Sequence, residues 1–547
     1  MFHQLLTPVG DNLVLSFLVA AIPIAVVLVF LGILRRPAWQ AASAGLAVAF
    51  LIAVLVWGMP VNLALASVLN GAVFALWPVM WIVINALLLY NISVASGRFD
   101  AFRAWVIAYL PNDRRVVLIV VGFCFGALLE GIAGFGAPVA ITGSLLIMVG
   151  FPAIDAIVFA LIFDTTPVAF GALGAPVTVL GAVTGLPAPA LGAMIGRQLP
   201  LMAAILPLYV MVLYGGWRSA RALWPMLLCA GASFGLAQFA TSNYLDYTLT
   251  DVFAALASLI MTLVLLQFWR PARDPEFAIA DSTIGGIGAS TGAVPAWQGW
   301  LPWVIASVTV IVWTFFKVAN VGQHAIPWPG LDKAISITLY HDKPYAAVWA
   351  FQPLGTGTAI ALSALITAVV VKLSPREFLL CVARTIRQIW LAVVAVMLIV
   401  GLAYLMNYSG LAFTLGLAAA SSGRAFVLFS PFLGWIAVFL SGSDTSGNAL
   451  FGNLQVVAAR QLSLNPLLFA ATNSSGGVLG KMISPQNIAT GVSVTNLKGK
   501  EGAVFARTFV HSIILTLLLV AIVIAQQYFF PGIIPGYATG LSARGSD

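Results

Sequence analysis

Long runs of apolar residues limit what this chain can fold into more than any other feature. The stretch 12–34 contains no charged residue, and neither does the stretch 512–524. Such runs exceed the half-polar strands of a β-barrel and are typical of helices that cross a hydrocarbon core about 30 Å thick. The first run is followed by Arg35 and Arg36 and lacks a small-residue cleavage site, so we interpret it as a retained helix and not as a signal peptide.

The composition supports an integral membrane protein. Of the 547 residues, 61% are hydrophobic and 8% are charged, whereas a soluble domain carries about 25% charged residues. The formal net charge of +8 does not indicate nucleic-acid binding, because the basic residues are scattered over short loops. The three cysteines, Cys124, Cys229 and Cys381, are far apart and predict neither a disulfide framework nor a metal site.

The hydropathy pattern predicts an all-α, polytopic membrane protein with about twelve transmembrane helices. They begin near residues 12, 40, 75, 154, 200, 222, 251, 300, 355, 388, 465 and 505. Arginine and lysine fall mostly in the loops on one side, which is the cytoplasmic side by the positive-inside rule. The acidic stretch 242–251 then lies on the opposite side, as do both chain ends.

Two parts of the chain resemble each other and predict inverted repeats. We expect N-terminal helices over 1–70, a first repeat over 71–235, connecting helices and loops over 236–350, a second repeat over 351–530 and a tail over 531–547. The repeats contain re-entrant hairpins at 116–149 and 428–455, each followed by a broken helix, at 154–180 and 465–492. Leu129, Gly131 and Gly136 match Leu440, Gly442 and Gly447 at a constant offset of 311, and inverted repeats of this kind are common in secondary transporters.

The polar interruptions of these segments predict a binding site for an anion and its coupling ion. Unpaired backbone groups at membrane depth are costly unless they line a cavity or a ligand. Half-helix N-termini attract a carboxylate, and freed carbonyl groups suit a small cation. The residues assigned to this site are Glu130, Gly131, Gly134, Gly136, Asp164, Thr165, Thr166, Ser441, Gly442, Ser443, Asp444, Thr445, Ser446, Asn448, Thr472, Asn473, Ser474, Ser475 and Lys481.

The ionisable members of this set allow more than one role. Glu130, Asp164 and Asp444 could each carry a proton, help to ligate a sodium ion, or simply satisfy a hairpin tip or a helix break. Lys481 could pair with a substrate carboxylate or with one of these acids, or its side chain could snorkel to the surface. Isolated glycines could serve only close helix packing, and Arg197 is interpreted as an interfacial anchor.

Several long strings resemble the L-lactate permease family, across most of the chain and least between about 270 and 350. They include GFCFGALLEGIAGFGAPVAI, FSPFLGWIAVFLSGSDTSGNALF and GGVLGKMISPQNIA. The resemblance implies proton-coupled uptake of L-lactate, with D-lactate and glycolate as further substrates, across a bacterial inner membrane. It also implies membership of the ion transporter superfamily, with Ser/Asn/Thr motifs at 441–446 and 472–475, an elevator motion and a homodimer.

Some alternatives stay open within that family. Where relatives read Asn-Thr-Ala-Pro, this chain has Asp164, Thr165, Thr166 and Pro167, and the extra acid leaves the coupling stoichiometry open. Sodium coupling, or a dicarboxylate or sulfonate substrate, would fit the same superfamily.

Proteins of other classes fit the sequence less well. The histidines, His3, His324, His341 and His511, contain no pair at metal-ligand spacing, so no metal site is expected. GASTG at 288–292 lacks the strand and helix context of a catalytic serine. The sequence contains no phosphate-binding G-x-x-x-x-G-K-[ST] motif, so we expect neither an enzyme nor an ATP-driven pump, and no cofactor; a channel would share the broken helices.

Overall fold

The protein is almost entirely helical, as predicted. The computed structural model describes residues 1–34, 36–134, 137–272, 274–279, 294–493 and 500–536. The N-terminal half contains α1 (Leu13–Leu28), α2 (Ala38–Leu55), α3 (Val61–Phe74), α4 (Trp81–Ala95), α5 (Arg98–Tyr109), α6 (Arg114–Val117), α7 (Gly126–Ala133), α8 (Ala137–Met148), α9 (Ala153–Asp164), α10 (Gly171–Thr184), α11 (Ala188–Tyr244) and α12 (Thr250–Phe268).

The C-terminal half continues with nine further helices in the described ranges. They are α13 (Leu301–Phe315), α14 (Thr356–Val370), α15 (Pro375–Ser409), α16 (Leu411–Ala420), α17 (Phe426–Ser441), α18 (Asp444–Gln461), α19 (Pro466–Lys481), α20 (Pro485–Ser493) and α21 (Glu501–Ile524). Five short strands are also present: β1 (Phe2–His3), β2 (His324–Pro327), β3 (Ile335–Ile337), β4 (Lys343–Pro344) and β5 (Val348–Phe351). They form a sheet in the order β1-β3-β4 and a separate β2-β5 pair.

The number of helices that can cross a membrane comes close to the predicted twelve. In the described ranges, ten helices are long and apolar enough to cross a membrane, or eleven if the bent pair Ala153–Asp164 and Val168–Thr184 counts as one span. Pro138–Met148, Thr356–Val370 and Leu411–Ala420 are apolar but shorter, because glycine and polar residues interrupt the segments to which they belong. Of these three, only Thr356–Val370 had been predicted as a full span, beginning near residue 355.

Helix α11 contains two antiparallel spans, as the predicted starts near 200 and 222 require. The backbone reverses at Gly216, which has a φ of +67°, a value that glycine adopts without a steric cost. Beyond the turn, Gly231 and Gly235 face the backbone of Ala204 and Pro200, with no room for a Cβ atom.

Two apolar cores meet around the polar centre of the molecule. One core joins the first hairpin and the first broken helix to α11, α12, α17, α19 and α21. The other contains α1 to α3, α15 and α16. Residues of α10 and α18 belong to both cores. Large apolar side chains such as Leu55 and Phe268 lie exposed on the outside, where lipid covers them in a membrane protein.

Candidate functional site

The first arm of the first hairpin carries Glu130 in its last turn. Helix α7 ends at Ala133, and Gly134 after it has a φ of +61°; a Cβ atom at Gly134 would lie 3.0 Å from the Cβ of Ala172 in the first broken helix. Glycine therefore allows the hairpin tip to approach that helix. Gly136, which the sequence also assigned to the site, lies outside the described residues.

The first broken helix is interrupted where the sequence predicts it. Helix α9 ends at Asp164, and the backbone of Ala172, Leu173 and Gly174 is left-handed, with φ values of 46°, 53° and 75°. Two consecutive non-glycine residues in this region are unusual and cost energy, and such strain concentrates at functional sites. Thr165 donates its hydroxyl to the carbonyl of Ile162, and Thr166 has no side-chain partner in the described chain.

The second hairpin turns at Gly442, which has a φ of +71°. Asp444 begins the second arm, α18, and its Oδ2 accepts hydrogen bonds from Ser474 at 2.5 Å and Asn448 at 3.2 Å. Ser441 donates to the carbonyl of Ser443 at 3.2 Å. Thr445 and Ser446 are buried beside Asp444.

The second broken helix is interrupted later than the sequence predicts. The polar run Thr472, Asn473, Ser474 and Ser475 is helical, and the break falls at 482–484, between α19 and α20. The run stays helical because its short side chains find partners on neighbouring helices. Thr472 accepts from Gln198 at 2.9 Å, and Ser475 donates to Gln198 at 2.7 Å; Asn473 donates to Asn448 at 3.0 Å.

A buried ion cluster joins the two halves of the chain. The Nζ atom of Lys481 lies 2.7 Å from Oε1 of Glu130 and 3.0 Å from Oδ2 of Asp164. All three side chains are at most 4% exposed, so Lys481 does not snorkel to the surface. Oε2 of Glu130 and Oδ1 of Asp164 have no hydrogen-bond partner in the described chain, and these oxygens can take up a proton or contact a ligand.

A small cavity lies beside this cluster. Its volume is about 20 Å³, room for about one water molecule, so the groups around it are closely packed. Both hairpin tips, the first break and the end of α19 line it: Glu130, Gly134, Val168, Gly171, Ala172, Pro176, Gly442, Ser443, Asp444, Thr445 and Lys481. The tip of the second hairpin also meets the second break, because Asn487 donates to the carbonyl of Gly442 at 2.9 Å.

Sequence reasoning missed two buried polar residues of this region. Gln198 forms hydrogen bonds with Thr472 and Ser475. Its position as a polar residue within an apolar stretch of the sequence could have identified it. Asp251 is 1% exposed and packs against Gly131 of the first hairpin. It was assigned to an acidic outer loop. Arg197, interpreted from the sequence as an interfacial anchor, donates to Asn243 and to the carbonyl of Ile533.

Acids outnumber bases around the cavity. Apart from the pair Asp113–Arg115, the buried charged residues of the described chain are Glu130, Asp164, Asp251, Asp444 and Lys481. Uncompensated charges are expensive in a low dielectric, so protons or cations must neutralise most of these carboxyl groups. No group of three or more histidine, cysteine, aspartate or glutamate residues in the described ranges could hold a metal ion.

Comparison with known proteins gives matches over nearly the whole chain. The family model described as L-lactate permease matches residues 16–530. The L-lactate permease of Escherichia coli K12 is 41% identical, covering 98% of this chain and 100% of its own. That of Bacillus subtilis 168 is 39% identical over 97% and 99%, and the glycolate permease GlcA of E. coli K12 is 39% identical over the same shares.

Similarity to solved structures is weaker. The transporter MtrF of Neisseria gonorrhoeae, described as representing a class of antimetabolite efflux pumps, has a TM-score of 0.45 and 13% identity over 85% of both chains. A TM-score at this level does not establish a shared fold.

Proposed function

Because the chain belongs to the L-lactate permease family, we propose that this bacterial multi-pass membrane transporter imports L-lactate with one proton. D-lactate and glycolate would share the same site. Relatives named for L-lactate and for glycolate, each matching almost the full length, support small 2-hydroxy acids as substrates. The direction of import follows from the proton gradient across a bacterial inner membrane.

The position of Lys481 is the observation that carries the proposal. It is the one buried lysine of the described chain, its ammonium group belongs to the cavity wall, and two acids already hold it there. A carboxylate is the natural partner of such a buried cation. A lactate ion in the cavity would therefore take the place of Glu130 or Asp164 beside Lys481.

The hairpin tips supply the remaining contacts for a small hydroxy acid. Ser443, Asp444 and Thr445 lie at the N-terminus of α18 and line the cavity. Unpaired amide groups at a helix N-terminus favour an anion, and the hydroxyl groups of Ser443 and Thr445 can bind the substrate hydroxyl. The cavity, of about 20 Å³, holds about one water molecule, so the tips must move apart to admit lactate.

The charge balance around Lys481 explains how lactate transport is coupled to a proton. In the empty closed site, one of the two acids beside Lys481 is ionised and compensates it, while the other is protonated. In the loaded closed site, the substrate carboxylate compensates Lys481, and both acids must be neutral. The two closed states differ by one substrate anion and one proton, which makes transport electroneutral.

The motion that exposes the site to each side is proposed from the family resemblance. The superfamily pattern implies an elevator in which the hairpins and broken helices move together within a homodimer. In this chain the cavity wall is formed by those segments and not by α1 to α3, which is the arrangement that a moving unit requires.

Uptake into proteoliposomes tests this function. With the purified protein, an inward proton gradient should accumulate labelled L-lactate, and unlabelled glycolate should compete. An imposed membrane potential without a pH difference should add little, because one proton and one anion move together. Asp155→Asn is a matched control on α9, because Asp155 is partly exposed and pairs with Arg507.

Two results would contradict the proposal. Accumulation driven by a sodium gradient at uniform pH would show that sodium, and not a proton, is the coupling ion. Competition by succinate or a sulfonate, but not by glycolate, would show that the substrate is not a 2-hydroxy acid.

A further inference from the structure

Asp251 is a buried acid that the proposed transport cycle leaves without a role. It belongs to the first turn of α12, outside both hairpins and both broken helices. It is 1% exposed, and neither of its carboxyl oxygens has a hydrogen-bond partner in the described chain. A carboxyl group in this situation is stable only when it is protonated, so Asp251 holds a proton in the closed site.

The packing of the first hairpin brings Asp251 to the ion cluster. A Cβ atom at Gly131 would lie 2.7 Å from the Cβ of Asp251, so α7 approaches α12 at a glycine, and the next residue before it is Glu130. Any larger residue at 131 would separate the two elements. The glycine thus keeps the two acids on facing elements close to each other.

The charged groups that act on Asp251 belong to the proposed binding site. They are Glu130, Asp164 and Lys481, which are close enough to act on the Asp251 carboxyl group through their charge. Other titratable groups on packed neighbours have partners of their own. Tyr247 shares a hydrogen bond with Thr178, Asp246 accepts from Thr248, and Cys124 shares one with Ser258.

Substrate binding requires the ionised acid beside Lys481 to take up a proton. When a substrate carboxylate takes over Lys481, the ionised acid beside it loses its counter-charge. Oε2 of Glu130 has no hydrogen-bond partner in the described chain and can accept a proton. Asp164 can only exchange with Glu130 the one proton that this pair already holds, so the additional proton must come from another acid. Asp251, on the element that packs against Gly131, is such an acid.

We propose that Asp251 is a proton relay to the Glu130–Lys481–Asp164 cluster. This inference rests on the proposed function. In the relay step the O–H bond of Asp251 breaks, an O–H bond forms on Glu130, and Asp251 becomes a carboxylate. It recovers its proton from water on the outer side, where the charge-based topology places the turn that precedes α12. Asp251 therefore acts through Glu130 and does not touch the substrate.

Asp251→Asn tests the relay, because the amide keeps the shape of the side chain but cannot pass on a proton. In proteoliposomes, net uptake of labelled L-lactate driven by a pH gradient should fall about 100-fold, the usual size of a positioned proton-transfer effect. Exchange of labelled for unlabelled lactate at equal pH needs no net protonation, because the loaded carrier shuttles back and forth. Exchange should therefore continue at a rate close to that of the wild type.

Asp251→Glu is the second variant, and it should keep more net uptake than Asp251→Asn because it restores a titratable group. If Asp251→Asn loses exchange and net uptake in parallel, or loses neither, the relay is wrong; if the amide variant does not fold, equal net uptake by Asp251→Glu and Asp251→Ala would overturn it. Failure of the proposed function looks different, because the wild-type protein would then show no lactate uptake driven by a pH gradient.

Discussion

At the scale of single residues, Lys481 is the side chain on which substrate binding depends. Replacing it by methionine keeps most of the volume and removes the charge. Hydrogen bonds to charged groups contribute about 1.5–3 kcal/mol, so we expect Lys481→Met to weaken L-lactate binding by about 10–100-fold. Calorimetric titration of the purified protein measures this change.

Lys500→Met is the matched control for that measurement. Lys500 is exposed and precedes α21, so its removal should leave lactate affinity unchanged. Normal binding by Lys481→Met would assign Lys481 a purely structural role beside Glu130 and Asp164.

Whether the sequence reveals a site residue depends on the residues that flank it in the chain. Glu130, Asp444 and Lys481 stand out because apolar or glycine-rich residues flank them, and a charge in such a segment is rare without a function. Asp251 follows Asn243 and Asp246 in a polar stretch, so its burial cannot be read from its neighbours. It becomes visible only when the first hairpin packs onto α12.

At the scale of elements, a seam of glycines holds the second hairpin against the second broken helix. A Cβ atom at Gly434, Gly476 or Gly480 would overlap a backbone carbonyl of the facing helix. We expect Gly480→Ala to lower the free energy of unfolding by about 1–3 kcal/mol, the usual cost of overpacking a tight core. Thermal unfolding in detergent checks this.

Gly502→Ala is the control for the seam. A Cβ atom there would meet no other atom within 4 Å, and alanine is the better helix former, so this variant should be as stable as the wild type or more so. Equal stability of both variants would mean that the two helices separate easily at Gly480.

The sequence predicts where the hairpins turn better than it predicts the second broken helix. Gly134 and Gly442 adopt positive φ values at the two turns, and the glycine-rich strings around them indicated this. The run 472–475 was predicted to break its helix, since a row of small polar residues often does. It stays helical because Gln198, Asn448 and Asp444 pair with its side chains, and these partners are distant in sequence.

At the scale of the whole molecule, the distribution of basic residues predicts the orientation in the membrane. We expect both chain ends on the outer side and the loop around Lys372 in the cytoplasm. Epitope tags at either end should react with antibody in cells whose outer membrane is permeabilised. A tag inserted after Lys372 should react only after the inner membrane is opened, and the reverse pattern would invert the topology.

The helical architecture was predictable from the whole sequence, and so was the bent pair Ala153–Asp164 and Val168–Thr184, whose helices meet at 61°. The exact number of spans was not, because hydropathy measures apolar length and does not follow the direction of the chain. The inverted relation of the two repeats and the domain boundaries stay predictions. They depend on the direction in which each segment crosses the bilayer.

The surplus of acidic side chains around one lysine also bears on which molecules are kept out. A monocarboxylate brings one negative charge, and Lys481 can compensate it. The second carboxylate of a malate or succinate ion would find no second buried lysine in the described chain, and an uncompensated charge in a closed site costs several kcal/mol. A single lysine thus accepts one anionic group and disfavours a dianion, and selectivity for short monoacids needs no separate filter.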